Sequence, residues 1–267
     1  MSKLLVFDIG STFGYYRKGF TTTSALTHAV IPRSAVEGLI GAVLGLTSEE
    51  YPEKLGISKI AVEITSPVRK LNMKYMHTNP DWWYNVVSPY LLSKRPSSKL
   101  TQFAIPTSVE FVVDPRYRIY FDIQDEDIYD ELSLKIECKQ SYYTPYLGTS
   151  SMICFLKYVG EFDYISMSQK ITNKGVYIPV SSIIPFSEKM PNIKIERESK
   201  FAIEDGLPVH VDNTRTPQGA YKIVYSPNAD FLQVIDSDLV RVQTSDKEKE
   251  KENEAKYVKF LPTKISS

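Results

Sequence analysis

The sequence has 267 residues, of which 42% are hydrophobic and 24% are charged, a composition typical of a folded globular protein rather than a disordered one. Its 32 basic and 32 acidic residues cancel, which argues against a protein that binds nucleic acid over its whole surface. The longest apolar run, residues 39–46, is far shorter than the roughly 20 residues of a membrane-spanning helix. With two cysteines, no disulfide framework or zinc site is expected. Because no signal-peptide pattern is present, the sequence predicts a cytoplasmic protein.

The first third of the chain begins with a buried strand, predicted from the apolar run at residues 4–9. A helix follows, because Ser34 and Glu37 have the spacing of a capping box and an apolar stripe recurs every three or four residues. The stripe consists of Val36, Leu39, Ile40, Val43 and Leu44. Glycines within this helix predict a close approach to another backbone, most simply a sheet. Residues 59–65 alternate between apolar and polar types, which predicts a half-buried strand.

The middle of the chain is dominated by a long insertion. Residues 66–106 have no clear periodicity and contain five prolines, so they predict a loop without regular structure. Residues 109–113 and 118–123 are β-forming runs separated by Asp114 and Pro115, a turn signal that predicts a hairpin. The acids at 125–127 suit the positive end of a helix dipole, and they predict a helix that runs to about residue 138.

After residue 150 the sequence predicts mostly strands, at residues 152–159, 176–184, 193–195, 208–211, 220–225, 231–235 and 240–242. The charged stretch 246–256 predicts a solvated loop. The order of elements predicts an α+β fold in two parts. The first is a ferredoxin-like (RRM-like) domain over residues 1–150 that carries the insertion at about 66–106. The second is a mostly antiparallel β lobe over residues 151–267.

Common catalytic signatures are missing from the sequence. It has no phosphate-binding glycine loop, no zinc-protease motif and no paired CxxC, and we therefore expect no metal, no cofactor and no catalytic residue. A metal-free ribonuclease remains an alternative, because it needs only a base, an acid and a cation near a 2′-hydroxyl. His28 or His77, with neighbouring tyrosines and lysines, could supply these groups.

Basic residues alternate with aromatic ones near the amino end. Residues 1–102 contain 12 Lys and Arg against 7 Asp and Glu, whereas residues 103–267 contain 20 against 25. One basic and aromatic cluster follows the first strand and consists of Tyr15, Tyr16, Arg17, Lys18 and Phe20, next to a hydroxyl run at 21–24. A second lies in the insertion and consists of Arg69, Lys70, Lys74, Tyr75, His77, Trp82, Trp83, Tyr84, Tyr90, Lys94, Arg95 and Lys99. Cations bind phosphates, and flat rings stack on unpaired bases at roughly 1–3 kcal/mol per base. The clusters favour contact with single-stranded RNA or with a partner protein over a purely internal aromatic core that pins a long loop.

Residues 16–45 (YRKGFTTTSALTHAVIPRSAVEGLIGAVLG) resemble the amino-terminal signature of the CRISPR-associated Cas family numbered five. That signature is a basic and aromatic turn, a Thr/Ser run, Pro-Arg-(Ser/Thr)-Ala and a glycine-rich helix. Residues 143–153 (YTPYLGTSSMI) are similar to the family's Tyr-Leu-Gly segment, and residues 102–120 to its central strand pair. Residues 216–221 (TPQGAY) are compatible with the family.

The resemblance implies a RAMP-superfamily protein with a ferredoxin-like domain and a thumb-like insertion at 66–106. It implies a non-catalytic subunit of the type I effector complex, Cascade, that caps the 5′ handle of the CRISPR RNA. The implied partners are this handle, the backbone subunit of the Cas family numbered seven and the large subunit of the Cas family numbered eight. Contact with target DNA near its PAM stays open.

Combined with the two clusters, the resemblance predicts a set of RNA-binding residues. They are Tyr16, Arg17, Lys18, Thr21, Arg33, Arg69, Lys70, Lys74, Trp82, Trp83, Lys94, Arg95 and Gly148. The subtype I-C branch cuts precursor RNA with a Tyr and an adjacent Lys and His, and this sequence has no adjacent Lys-His pair. The resemblance therefore implies binding without cleavage, and subtype I-B. A metal-free endoribonuclease for CRISPR precursor RNA and an unrelated protein-interaction module are the alternatives.

Overall fold

The computed structural model describes most of the chain, and every statement below concerns that part. The described residues are 3–21, 25–78, 104–167, 177–194, 200–212, 214, 216–235, 238–243 and 256–263, without the side chains of 75–78 and 104–105.

Three helices and fifteen strands are formed by the described residues. In chain order they are β1 (Lys3–Gly10), β2 (Phe13–Gly14), α1 (Arg33–Leu44), α2 (Glu50–Leu55), β3 (Lys59–Ile64), β4 (Arg69–Thr78), β5 (Ala104–Val113), β6 (Arg116–Asp122), α3 (Glu126–Glu137), β7 (Phe155–Ser166), β8 (Ile178–Val180), β9 (Ile184–Phe186), β10 (Asn192–Ile193), β11 (Ala202–Val211), β12 (Pro217–Tyr225), β13 (Leu232–Ile235), β14 (Val240–Val242) and β15 (Lys256–Val258). The predicted α+β composition is confirmed. The ferredoxin-like arrangement, the thumb and the division at residue 150 stay predictions.

The largest sheet has nine strands in the order β10-β13-β8-β15-β14-β7-β1-β6-β3. The sheet curls, so that its edge strand β3 forms hydrogen bonds with the two segments that directly follow β8 and β15. The Ile183 N–H donates to the Val62 carbonyl at 2.8 Å, and the Leu261 N–H donates to the Ile60 carbonyl at 2.7 Å. The curl encloses a small apolar core that includes Leu4, Val6, Ala61, Tyr120, Val240, Val242 and Val258.

A second and larger core lies between the sheet and the helices. The predicted stripe of α1 is buried there throughout, and Asp125 caps α3 by accepting a hydrogen bond from the Ile128 N–H at 3.1 Å. Because β3 has the helix-side core on one face and the curled core on the other, all its residues after Lys59 are buried. The prediction of a half-buried strand was therefore wrong.

The predicted start of α1 also needs correction. The helix begins at Arg33 after Pro32, and no side chain caps it, so Ser34 lies inside the helix and the capping box does not form. Glu37 instead pairs with Arg33 inside the protein. Gly41 does allow a close approach, but its neighbour is another helix: a Cβ at Gly41 would lie 2.9 Å from the Cβ of Tyr51 on α2.

The strands on either side of Pro115 do not form the predicted hairpin. β6 pairs with β1 and β3 in the large sheet, whereas β5 belongs to a separate sheet with the order β2-β5-β4. β4 and β5 pair without interruption from Arg69 opposite Val113 to Thr78 opposite Ala104. Residues 69–78, predicted as loop, are therefore one strand of a long two-stranded arm. The third sheet has the order β11-β12-β9.

Cys138 and Cys154 are both free thiols, and the described residues contain no group of three or more His, Cys, Asp or Glu placed to hold a metal ion. Within the same residues, no helix has the length and apolar character needed to cross a bilayer.

Candidate nucleic-acid interface

The first basic cluster lies on a loop, residues 15–28, which we call the basic loop; its residues 22–24 lie outside the described part. The loop is fixed at both ends. At its start the Tyr15 N–H donates to the Leu147 carbonyl at 3.1 Å. Further along, the Lys18 N–H donates to the Leu26 carbonyl at 3.0 Å, and the Glu110 N–H on β5 donates to the Ala25 carbonyl at 2.9 Å. The loop therefore lies along β5, beside the arm.

An open groove of about 740 Å³ separates the basic loop and β4 from β11. Lys18 and Lys70 line it from two segments that are far apart in the sequence, and Phe20 joins them with 71% of its surface exposed. The opposite wall consists of Ile203, Glu204, Asp205, Gly206 and Tyr225. The two predicted clusters are thus partly brought together: two cations and one exposed ring border a single groove.

Glu204, an acid that lines the groove, has three polar partners for its carboxylate. Its Oε1 lies 2.6 Å from the Lys18 Nζ and 3.2 Å from the His28 Nδ1, and its Oε2 accepts a hydrogen bond from the Ala29 N–H at 2.8 Å. Burial by itself would raise the pKa of this carboxyl group, but the hydrogen bonds from His28, Lys18 and Ala29 outweigh it and lower the pKa to about 2. Glu204 is therefore ionised at any physiological pH.

Lys70 is held in a similar way. Its Nζ donates to the Thr27 carbonyl at 2.9 Å and lies 3.3 Å from the Glu110 Oε2. The same Oε2 accepts a hydrogen bond from the Thr27 N–H at 3.2 Å. Both groove lysines therefore have a carboxylate partner, and both carboxylates also hold the backbone of residues 27–29.

Three other predicted cations remain open to a ligand. Arg17, Arg69 and Lys74 are exposed, and no carboxylate of the described residues forms an ion pair with them. Arg17 only donates to the Thr21 carbonyl at 3.2 Å. Lys74 lies on the same face of β4 as Lys70, because side chains alternate along a strand, so these two cations extend from the groove along the arm.

Three of the predicted RNA-binding residues are buried and do not offer a side chain to RNA. Tyr16 is only 4% exposed, and Thr21 is buried with its Oγ1 donating to the Lys18 carbonyl at 2.8 Å. For these two side chains the prediction of direct contact was wrong, and each one shapes the basic loop instead. Gly148 is exposed and, with φ at 98°, packs directly on Tyr15; its contact with RNA stays a prediction.

Arg33 is the third and clearest correction, since none of its surface is exposed. Its Nε lies 2.8 Å from the Glu37 Oε1, and one terminal nitrogen donates to the Ser58 carbonyl at 2.7 Å and the Gly56 carbonyl at 3.2 Å. Burial raises the pKa of Glu37 to about 7 although Arg33 opposes the shift. Arg33 therefore acts inside the fold. Trp82, Trp83, Lys94 and Arg95 lie outside the described residues and stay predictions.

His28 and His77 are alternative candidates for the base of a ribonuclease. His28 is 2% exposed and its Nδ1 lies 3.2 Å from the Glu204 Oε1, which favours a structural role for this residue. His77 lies on β4. The metal-free ribonuclease stays an alternative hypothesis.

Sequence reasoning did not find Glu110, Ile203, Glu204 or Gly206. Glu204 lies at an irregularity where the pairing of β11 with β12 shifts register before Leu207, and Gly206 has φ at 78°. An Asp-Gly pair inside a β-forming run is a signal for such a bulge. That signal could have located the bulge in β11, but it could not have identified Lys18 as the partner of Glu204.

The family model described as "CRISPR-associated protein (Cas_Cas5)" matches residues 4–223. The chain belongs to this family. A solved structure described as "Crystal structure of a CRISPR protein from Archaeoglobus fulgidus" is similar at 10% identity, covering 96% of this chain and 98% of that one, with a TM-score of 0.53. A second, described as "CRISPR RNA-guided surveillance complex", is similar at 13% identity over 87% of this chain and 90% of that one, with a TM-score of 0.50. No curated protein matches.

Membership in the Cas5 family confirms the resemblance carried by residues 16–45, 102–120 and 143–153. It also excludes an unrelated protein-interaction module. At 10–13% identity the two solved structures show that the fold is shared, and they leave the ligand and partners of this Cas5-family chain to be argued from its own residues.

Proposed function

We propose that this Cas5-family chain is an RNA-binding subunit of a type I CRISPR surveillance complex, where it holds the 5′ handle of the CRISPR RNA without cutting it. The observation that carries this proposal is the convergence of Lys18, Lys70 and the exposed ring of Phe20 on one open groove. Cations bound to phosphates and rings stacked on unpaired bases are the usual means of holding single-stranded RNA.

In this proposal the groove and the arm contact different parts of the RNA. Phe20 offers a face on which a splayed base can stack. Lys74, on the same face of β4 as Lys70, continues the line of positive charge along the arm, and Arg17 extends it along the basic loop. The remaining surface is free for protein neighbours, which is consistent with a net charge of zero.

The proposed neighbours are the Cascade backbone subunit of the family numbered seven and the large subunit of the family numbered eight, in a cytoplasmic complex of subtype I-B. Exposed apolar side chains on α3 and in the segment that follows it are available for such contacts, and exposed apolar patches commonly mark interfaces. They are Leu134, Tyr142, Tyr143, Tyr146, Ile153 and Phe155. Contact with target DNA near the PAM would require this assembly.

The first test is the affinity of the protein for fluorescent handle RNA. Phe20→Ala is expected to lose about 1–3 kcal/mol of binding free energy by removing one stacking face. Lys74→Ala is expected to weaken binding and to reduce the slope of log K against log salt by about 0.7, the share of one phosphate contact on a single strand.

Lys54→Ala is the matched control, because Lys54 is an exposed lysine on α2 with only a surface partner, Glu50, at 3.8 Å. It should leave both the affinity and the slope unchanged. Phe20→Ala and Lys74→Ala variants that bind handle RNA as tightly as the wild type would contradict the proposed interface.

The second test addresses cleavage. CRISPR repeat RNA incubated with the protein in EDTA is expected to stay intact, because the sequence has no adjacent Lys-His pair and His28 is buried against Glu204. The RNA is resolved on a denaturing gel beside an alkaline ladder. A discrete product that disappears in His77→Ala would overturn the non-catalytic proposal in favour of a metal-free endoribonuclease.

A further inference from the structure

The two lysines of the groove are arranged in the same unusual way. Lys18 pairs with Glu204 at 2.6 Å, and Lys70 pairs with Glu110 at 3.3 Å. Each carboxylate has a second anchor on the same short stretch of backbone: Glu204 accepts from the Ala29 N–H, and Glu110 accepts from the Thr27 N–H. Two lysine–carboxylate pairs therefore flank residues 27–29.

This arrangement cancels the charge of the groove where it faces a ligand. The positive charges of Lys18 and Lys70 are matched by Glu204 and Glu110, and the remaining acid of the lining, Asp205, pairs with Lys222 at 3.4 Å. A site built only to attract phosphate would leave its lysines unpaired, because affinity for any nucleic acid grows with the number of phosphates neutralised.

We propose that Glu204 and Glu110 are specificity-determining residues, which mask Lys18 and Lys70 from the phosphates of unrelated RNA. This inference rests on the proposed function, since it concerns how the same groove selects its RNA. An RNA phosphate gains a lysine only by displacing a carboxylate, so the exchange contributes little net electrostatic free energy. Only an RNA that also stacks on Phe20 and follows the arm binds well.

The second anchors make the exchange feasible. When Lys18 turns to a phosphate, Glu204 keeps the Ala29 N–H and the His28 Nδ1 as partners, at 2.8 and 3.2 Å. When Lys70 turns away, Glu110 keeps the Thr27 N–H. Neither carboxylate is left buried without a hydrogen-bond donor, which would otherwise oppose the release of the lysine.

The test uses Glu204→Gln, Glu110→Gln and the double variant, with handle RNA and an unrelated single-stranded RNA of the same length. Each variant is expected to steepen the salt slope for the unrelated RNA by about 0.7, which corresponds to about 4-fold tighter binding at 0.15 M salt. The ratio of handle affinity to unrelated affinity should fall, because handle RNA already engages the lysines. Unchanged or shallower slopes for the unrelated RNA would overturn the proposal.

Two controls separate masking from other effects. Glu131→Gln removes the same charge from a more exposed pair outside the groove, with Lys135 at 3.2 Å on α3, and should change neither slope nor ratio. Lys18→Gln combined with Glu204→Gln should return the slope to that of the wild type, because the unmasked cation is gone. Thermal denaturation confirms that each variant is folded, and Glu110→Gln tests the masking by itself if Glu204→Gln is unstable.

The outcome also distinguishes this inference from the proposed function. If the wild type shows no preference for handle RNA but the glutamine variants still steepen the slope, the proposed function fails and the masking stands. If handle preference is found but the slopes do not change, the proposed function stands and the masking fails.

Discussion

Replacement of Arg33 by methionine is expected to lower the free energy of unfolding by about 3–5 kcal/mol, the usual cost of removing one partner of a buried ion pair. Arg33 has no exposed surface and its Nε lies 2.8 Å from the Glu37 Oε1, so the variant leaves a buried carboxylate without its counter-charge. The protein that stays folded should bind handle RNA with unchanged affinity. Urea denaturation and RNA titration at pH 7.5 measure the two quantities.

The double variant Arg33→Met/Glu37→Leu should recover most of this loss, because apolar residues often replace a buried ion pair at little cost. Recovery should be incomplete, since the carbonyls of Gly56 and Ser58 lose the guanidinium that they bind. If Arg33→Met has the stability of the wild type but has lost affinity for RNA, Arg33 contacts RNA and its assignment to the protein interior is wrong.

The loss in Arg33→Met should also depend on pH in a defined direction. Burial already raises the pKa of Glu37 from 4.5 to about 7 in the folded protein. A carboxyl whose folded pKa is raised takes up its proton more readily when folded, so stability falls as pH rises from about 4.5 through 7. Without Arg33 the pKa rises further, and the difference between variant and wild type should grow above pH 7 and shrink toward pH 5.

The elements that could be predicted are those whose signal is local. The stripe of α1 and the Asp125 cap of α3 lie within a few residues of the backbone that they organise. The partner of β5 is not local information. Asp114 and Pro115 reverse the chain, but a reversal does not decide that β5 joins β4 while β6 joins β1. The alternation of β4 is present in the sequence, where Lys70 and Asn72 alternate with Leu71 and Met73, but it was missed because the prolines that follow favour a loop.

The candidate site shows the same limit: local sequence patterns located some of its residues, but tertiary contacts could not be predicted. Composition located Lys18, Phe20 and Lys70, because basic and aromatic residues alternate around each of them in the sequence. The resemblance assigned Arg33 to RNA, but it could not decide burial: Arg33 and its partner Glu37, one helical turn away, are both buried. Glu204 was missed because its contact with Lys18 depends on tertiary packing of a strand near the other end of the chain.

Substitution of Gly148 by alanine is expected to disable the interface from outside the groove. A Cβ at this position would lie 1.7 Å from the Tyr15 carbonyl oxygen, and the φ of 98° is strained for any L side chain. The backbone of Tyr15 must move, although its N–H is bonded to the Leu147 carbonyl. Strain and overpacking together predict a loss of about 2–4 kcal/mol in unfolding free energy.

The effect on RNA should be large because Tyr15 lies at the start of the basic loop, directly before the residues that place Lys18 and Phe20. Gly19→Ala is the matched control: it lies in the same loop, and a Cβ there meets nothing within 4 Å. We expect Gly148→Ala to lose at least as much handle affinity as Phe20→Ala, whereas Gly19→Ala stays close to the wild type in both stability and affinity. Wild-type binding by a folded Gly148→Ala protein would show that the basic loop is not positioned through Tyr15, because the clash leaves no way to keep that backbone in place.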